Sequence, residues 1–375
     1  MNNPTERRKI SIIIFSIIIF ISACSQKNTN NGVHMSDNLK ISKRLGVLFL
    51  KTKILCFGRY AIEVPQETEL IYGNISVPSK IEVIKGGIVA KDEKIKEDIK
   101  KIKINDSSSE IIYNGKGSIQ NSWQLRYFEN KFSKEDGDVF FRTYINKGDI
   151  TFILSGSTPK GRTITSAAAT QLTRANNLRL REKNEIPAEP GHCLGDGFMS
   201  DSNYNVQEMA DAGLYFPNFP DVTFSITSNK DAYGDYPAAE YDEKVRGELS
   251  LLARIQQAKD QQGKNYPART LLREGKRDVQ HWHGEESLIR RTDGVHDFEW
   301  TLVGTPLDVA YPSVLEASMY TKVAHNMVGA AEASSLTDEE AIALWDKLLS
   351  GLKFRVKVPG APPGSYYIDP DKPAQ

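Results

Sequence analysis

Two spacings of apolar residues alternate along this chain, every second position and every third or fourth, and together they predict most of its elements. Thr52–Pro65 reads as strand, turn, strand, with Pro65 closing the run. Lys91–Ile104 sets Ile95, Ile99 and Ile102 on one helix face beneath a charged back. Period two returns at Ile111–Tyr113, at Ser118–Phe128, and in a hairpin of Val139–Ile145 and Ile150–Leu154 turned at Asn146-Lys-Gly-Asp149. Thr163–Glu182 then carries Ala residues, Leu172 and Leu178 at helical spacing. Asn184–Gly191, with two prolines, two acids and a glycine, suits a linker.

Beyond it, Cys193-Leu-Gly-Asp-Gly-Phe-Met opens a second region. Val222–Ile226 is strand-like, and Lys244–Lys259 is a helix with Leu249, Leu252 and Ile255 apolar. Strands recur at Arg269–Glu274, Val279–His283, Ser287–Arg291, Asp297–Val303 and Val314–Tyr320. Thr337-Asp-Glu-Glu340 is a capping box ahead of a helix with Leu344, Trp345, Leu348, Leu349 and Leu352 on one face. The pattern predicts an α+β fold of two lobes, each a mainly antiparallel sheet with a few helices. The expected domains are 51–183 and 192–358, joined by a linker at 184–191 and followed by a Pro-rich tail at 359–375.

The first residues have a different pattern. Arg7-Arg8-Lys9 precedes an apolar stretch from Ile10 to Ile21, and Ser22-Ala23 leads to Cys24. That stretch falls short of the roughly 20 residues of a spanning helix and fits a signal peptide over 1–23. Its end resembles the bacterial lipobox, with Ile21 in the place of the usual Leu. The resemblance implies cleavage before Cys24, a diacylglyceryl thioether on its sulfur and an acylated N-terminus. Ser25 lacks the acidic character that retains lipoproteins at the inner membrane, so a periplasmic body anchored to the outer membrane is expected. Residues 24–50 form a tether and lead-in. Of these, 25–38 are polar, Asn-rich and without periodicity, while Leu45–Leu50 reads as an extra strand or a packed lead-in.

Charge narrows the partners. The chain has 48 Lys+Arg and 48 Asp+Glu; loss of Glu6, Arg7, Arg8 and Lys9 with the signal leaves 45 and 47. A mature chain near neutrality lacks the basic excess of a nucleic-acid binder. Residues 51–165 hold 19 basic and 15 acidic residues and 166–375 hold 22 and 31, so the second half is acidic and suited to a basic partner. With Cys24 lipidated, Cys56 and Cys193 remain, either a disulfide in an oxidising compartment or two buried thiols.

Candidate chemistry is sparse. Gly156-Ser-Thr-Pro-Lys-Gly-Arg-Thr163 resembles a phosphate-binding loop, but Arg162 stands where the lysine belongs, and the compartment lacks ATP. His281-Trp-His283-Gly-Glu285 would set His281, His283 and Glu285 on one strand face, the donor set of a metal-dependent envelope hydrolase. No Gly-x-Ser-x-Gly elbow occurs. Asp235 and Glu240 are a carboxylate pair whose separation in space the sequence leaves open. Tyr215-Phe216-Pro-Asn-Phe219-Pro220 places Tyr215, Phe216 and Phe219 in a Pro-stiffened loop, suited either to partner recognition or to folding back on the core.

Four stretches carry a family likeness. Cys56-Phe-Gly-Arg-Tyr-Ala-Ile-Glu-Val-Pro65, Gly191-His-Cys-Leu-Gly-Asp-Gly-Phe198, Asp297-Phe-Glu-Trp300 with Gly304, and Leu336-Thr-Asp-Glu-Glu-Ala-Ile-Ala-Leu-Trp345-Asp occur in this order. Together they resemble the two-domain Tle-cognate immunity proteins of type VI secretion, fourth class, over about Lys51 to Lys357. The resemblance implies two α+β lobes that clasp a phospholipase toxin in the periplasm and block the opening of its lid at a membrane. It implies no catalytic residue, metal or cofactor. His192 and Leu194 depart from the family's aromatic or β-branched pattern. A structural envelope lipoprotein is the other non-enzymatic reading.

Overall fold

The computed structural model describes residues 42–158, 163–231, 249–303, 308–323 and 333–372. The expected signal peptide, Cys24 and most of the expected tether lie outside these residues. A short helix, α1 (Lys43–Leu48), opens the described chain. It replaces the strand considered for Leu45–Leu50, although Leu45 is packed as a lead-in would be. There follow β1 (Thr52–Phe57), β2 (Tyr60–Pro65), β3 (Glu69–Val77), β4 (Ser79–Lys85), α2 (Gly87–Asn105), β5 (Glu110–Lys116), β6 (Ser122–Phe128) and α3 (Lys131–Asp136). Next come β7 (Phe140–Lys147), β8 (Ile150–Ser157), α4 (Ile164–Asn176), β9 (Leu178–Leu180), β10 (Gly191–Leu194) and β11 (Gly197–Ser200). The second half adds β12 (Glu208–Tyr215), β13 (Thr223–Lys230), α5 (Leu251–Gln262), β14 (Arg269–Val279), β15 (Trp282–Arg291), β16 (His296–Leu302) and β17 (Val314–Tyr320). The last elements are α6 (Asp338–Ser350), β18 (Leu352–Val356) and β19 (Tyr366–Ile368).

Twelve strands form one antiparallel sheet in the order β14-β15-β16-β17-β13-β12-β3-β4-β8-β7-β6-β5. The α+β expectation holds, and the sheets of the two halves meet where β3 pairs with β12, Leu70 opposite Leu214. Two small sheets, β1-β2-β18-β19 and β10-β11-β9, lie outside the large one. The first of them joins chain ends, because β18 pairs with β2 and β19 runs parallel to β18. The Pro-rich tail is thereby part of the fold through residue 368.

The two halves of the large sheet differ in how they are covered, and the sequence pattern explains it. In β8, Ile150, Phe152 and Leu154 enter one core cluster while Ile153 enters another beneath Ile95 and Ile102 of α2. A continuous apolar run of this kind needs cover on both faces. In the second half β12, β13, β16 and β17 alternate buried and accessible positions, so one face is core and the other is not. The buried face holds Phe224, Phe298, Trp300 and Met319 and is covered by α6, whose Trp345 meets Phe224 and Phe298 edge-on. The expected capping box is present, with Thr337 and Glu340 exchanging hydrogen bonds.

Some expectations change. The helix foreseen to Glu182 ends at Asn176, since Asn177 caps it, and Leu178 packs from β9 instead. Leu352 lies past Gly351 and belongs to β18 rather than to the last helix. Val279–His283 is not one strand: β14 ends at Val279, β15 begins at Trp282, and Gln280 takes a positive φ of 56° between them.

Candidate partner-binding surface

Antiparallel register sets three rows of side chains on the face of the central sheet opposite α6. The first is Glu69, Tyr215, Thr223, Tyr320 and Asp297; the second is Ile71, Gly213, Ser225, Ser318 and Glu299; the third is Asp211, Thr227, Glu316 and Thr301. Ser225, Thr227, Ile71 and Tyr320 are exposed. Beside these rows α5 packs on β15, where Glu285 accepts a hydrogen bond from Leu252 N at 2.9 Å. Small side chains keep the floor low, and Gly73 is required there: a Cβ would stand 2.6 Å from that of Asp211, where β3 and β12 shift register.

The floor is acidic. Asp297 meets Arg291 and Glu299 meets Arg254, each at 3.2 Å. Burial raises the carboxyl pKa values of Asp211, Asp297 and Glu299 above their ordinary range, more than the neighbouring arginines lower those of the last two. A cationic partner group would relieve that cost. Four strand spacings by two pleat repeats make the floor roughly 19 Å by 14 Å, on the order of 270 Å². A stable interface covers about 800 Å² per partner, so this face needs a neighbour.

That neighbour is the fork of the sheet. β3 and β4 pair only at Ser76–Lys80 and Val77–Ser79; β3 then follows β12 while β4 follows β8. A groove of about 520 Å³ opens between them, walled by Gly73, Ile75, Ile81 and Val83 and floored by Leu194 and Gly195. Lys85 pairs with Asp196 at its rim, 2.8 Å apart.

Under the seam of the two halves, Cys56 and Cys193 form a disulfide with Cα atoms 5.8 Å apart. Gly58 and Cys193 exchange two backbone hydrogen bonds beside it, of 3.0 and 2.8 Å. Arg59 donates to both oxygens of Glu208, at 2.7 and 2.8 Å, and to the carbonyl of Asp201. Arg355 donates to the carbonyls of Pro187, Glu189 and Gly191, so the linker is clasped by a side chain from β18. Burial lowers the Arg355 pKa to about 10. His192 is fully enclosed; desolvation, then Arg59 and Arg355, hold its pKa well below the ordinary value. The residues carrying the family likeness in Cys56–Pro65 and Gly191–Phe198 thus build the seam.

Phe216 and Phe219 are buried in the main core and serve it, with only an edge of Phe219 reaching the groove beside α1. Tyr215 alone of that loop lies in a row of the open face. The metal reading of His281, His283 and Glu285 fails because His281 stands in the turn at 280–281, apart from His283 and Glu285 of β15. His281 donates from Nε2 to the Ala310 carbonyl, His283 is exposed beside Asp278, and Glu285 caps α5. Among the described residues no three His, Cys, Asp or Glu side chains gather as a metal site. Gly156 ends an antiparallel strand rather than a parallel one, and residues 159–162 of the loop lie outside the described residues, as do Asp235, Glu240 and Gly304. The open face was missed by sequence reading, although the alternation Ala210, Ala212, Leu214 was its signal.

Comparison with known proteins gives the following. Residues 53–183 match the family model of the Tle cognate immunity protein 4 N-terminal domain, and residues 185–357 match that of its C-terminal domain. The apo structure of immunity protein TplEi of the T6SS from Pseudomonas aeruginosa is similar at TM-score 0.61 and 21% identity, covering 81% of this chain and 97% of that one. The Tle4–Tli4 complex is similar at TM-score 0.62 and 21% identity, with 81% and 97% covered. TplEi complexed with "L" peptide gives TM-score 0.57 and 20% identity, with 81% and 98% covered. At these identities the likeness concerns the fold. No curated protein sequence matches.

Proposed function

This chain belongs to the Tle cognate immunity protein 4 family, and from that premise we propose that it binds and neutralises a phospholipase effector of type VI secretion in the periplasm. The observation that carries the proposal is the presence of both family domains, in order, across most of the chain. The solved complex of the similar Tle4–Tli4 pair supports a direct effector–immunity contact. The inhibitor acts by clasping the effector and blocking lid opening or access to lipid. Its contact surface is the open face of the second half, Tyr215 included, extended into the fork between β3 and β4.

Such a role needs area and a slow off-rate rather than a catalytic constellation. Nanomolar binding corresponds to about −12 kcal/mol and uses a total interface near 1,600 Å². Asp211, Asp297, Glu299 and Glu316 supply a negative field that steers a basic effector surface to the face. The lipid on Cys24 keeps the inhibitor at the membrane its effector attacks.

The test is co-expression with a periplasm-targeted phospholipase effector from the same genome. Rescue of growth and co-elution in gel filtration are expected, with an association rate that falls as salt rises. Absence of both rescue and complex refutes the immunity role; a salt-independent rate refutes the steering alone.

A further inference from the structure

Where the described chain begins, apolar side chains stand in water. Leu45 of α1 is buried against the body, but Val47 is 59% and Leu50 78% exposed. With Leu48 and Phe219 they edge an open groove of about 450 Å³. Arg44 and Lys51 line it, Lys43 is exposed on the same helix, and Lys347 reaches over the Phe49 ring at 6.0 Å. Glu340 is held by Arg44 and Ser42, and Glu63 accepts from Thr52, while Glu67 lies at the groove edge. Exposed aliphatics beside the exposed Lys43 and Lys51 match the chemistry of an anionic bilayer.

The chain outside the described residues says which surface covers the patch. Ser42 is eighteen residues from Cys24. Eighteen residues span at most about 65 Å of fully extended chain, and that chain enters the described body at α1. We propose that α1 and the residues following it, Val47 to Lys51, dock on the phospholipid surface that holds the lipid anchor. The proposal rests on the lipid-anchor reading of Cys24. Tethering makes the second contact intramolecular, so weak intrinsic binding suffices. α1 packs on α6, in the layer over the buried side of the sheet, so docking leaves the acidic face on the side away from anionic lipid.

The test uses the mature chain carrying Cys24→Ala, exported behind an ordinary cleavable signal, and vesicles of phosphatidylethanolamine and phosphatidylglycerol. Co-sedimentation is expected, reduced about tenfold by Val47→Glu with Leu50→Glu and roughly fivefold per site by Lys43→Glu or Lys51→Glu. Pure phosphatidylcholine should bind several-fold less. Unchanged thermal melting verifies folding, and Leu50→Ser serves if the double variant melts early. Equal sedimentation of parent and variants overturns the proposal. So does a dimer that Val47→Glu and Leu50→Glu dissociate, or an effector complex they abolish without changing sedimentation. Palmitate labelling of wild-type cells tests Cys24 separately, because vesicle binding by the unlipidated chain does not depend on it.

Discussion

Replacing Cys56 and Cys193 with serine opens a loop of 137 residues that ties the first strand to the seam. In the chain-entropy description, closing a loop of that length lowers the entropy of the unfolded chain by an amount worth about 5 kcal/mol at 25 °C. The native state changes little, since both sulfurs are buried and Gly58 and Cys193 keep their two backbone hydrogen bonds. Nearly all of the loss should therefore appear as stability. With a urea slope of about 3 kcal/mol/M, the midpoint falls by roughly 1.7 M. Urea unfolding of the parent, the parent with reductant and the double serine variant measures it, alongside thiol titration of the unreduced denatured protein. Two titratable thiols at Cys56 and Cys193, or a midpoint shift below about a fifth of that expected, would refute the reasoning.

Two further outcomes follow from the buried polar seam. The His192 pKa is held well below 6.5 in the fold, so the unfolded chain takes up a proton that the folded chain excludes. Its contribution is fully present above 6.5 and is lost as pH falls toward the lowered folded value. Between pH 7.5 and 5.5 it should remove on the order of 1 kcal/mol, and His192→Gln should abolish that slope in urea midpoints; an identical slope in the variant would dismiss His192 as the source. Arg59→Met strands Glu208, whose carboxyl burial already raises its pKa, and should cost about 3–5 kcal/mol. Adding Glu208→Leu should recover much of it, because the carboxylate stranded by the loss of Arg59 is then gone; a double variant as unstable as the single contradicts that account.

Local pattern determined the elements whose cause is local. The stripe of Ile95, Ile99 and Ile102, the Thr337–Glu340 box and the Val139–Leu154 hairpin were legible because each is set by spacing within a few residues. The family likeness was legible from four short stretches, two of which build the seam. β3, β18 and β19 were not: Glu69–Val77 is only partly apolar, and its pairing with β12 comes from the other half of the chain. The histidine pair failed because His281 falls in a two-residue turn, where strand alternation does not apply. Which alternating face stays open was decided by tertiary structure alone. α6 lies some forty residues from β16 and covers one face of the sheet. The acidic rows of the other face become neighbours only when β12, β13, β17 and β16 pair, because a surface is made by register between strands and sequence specifies only the side chains each strand contributes.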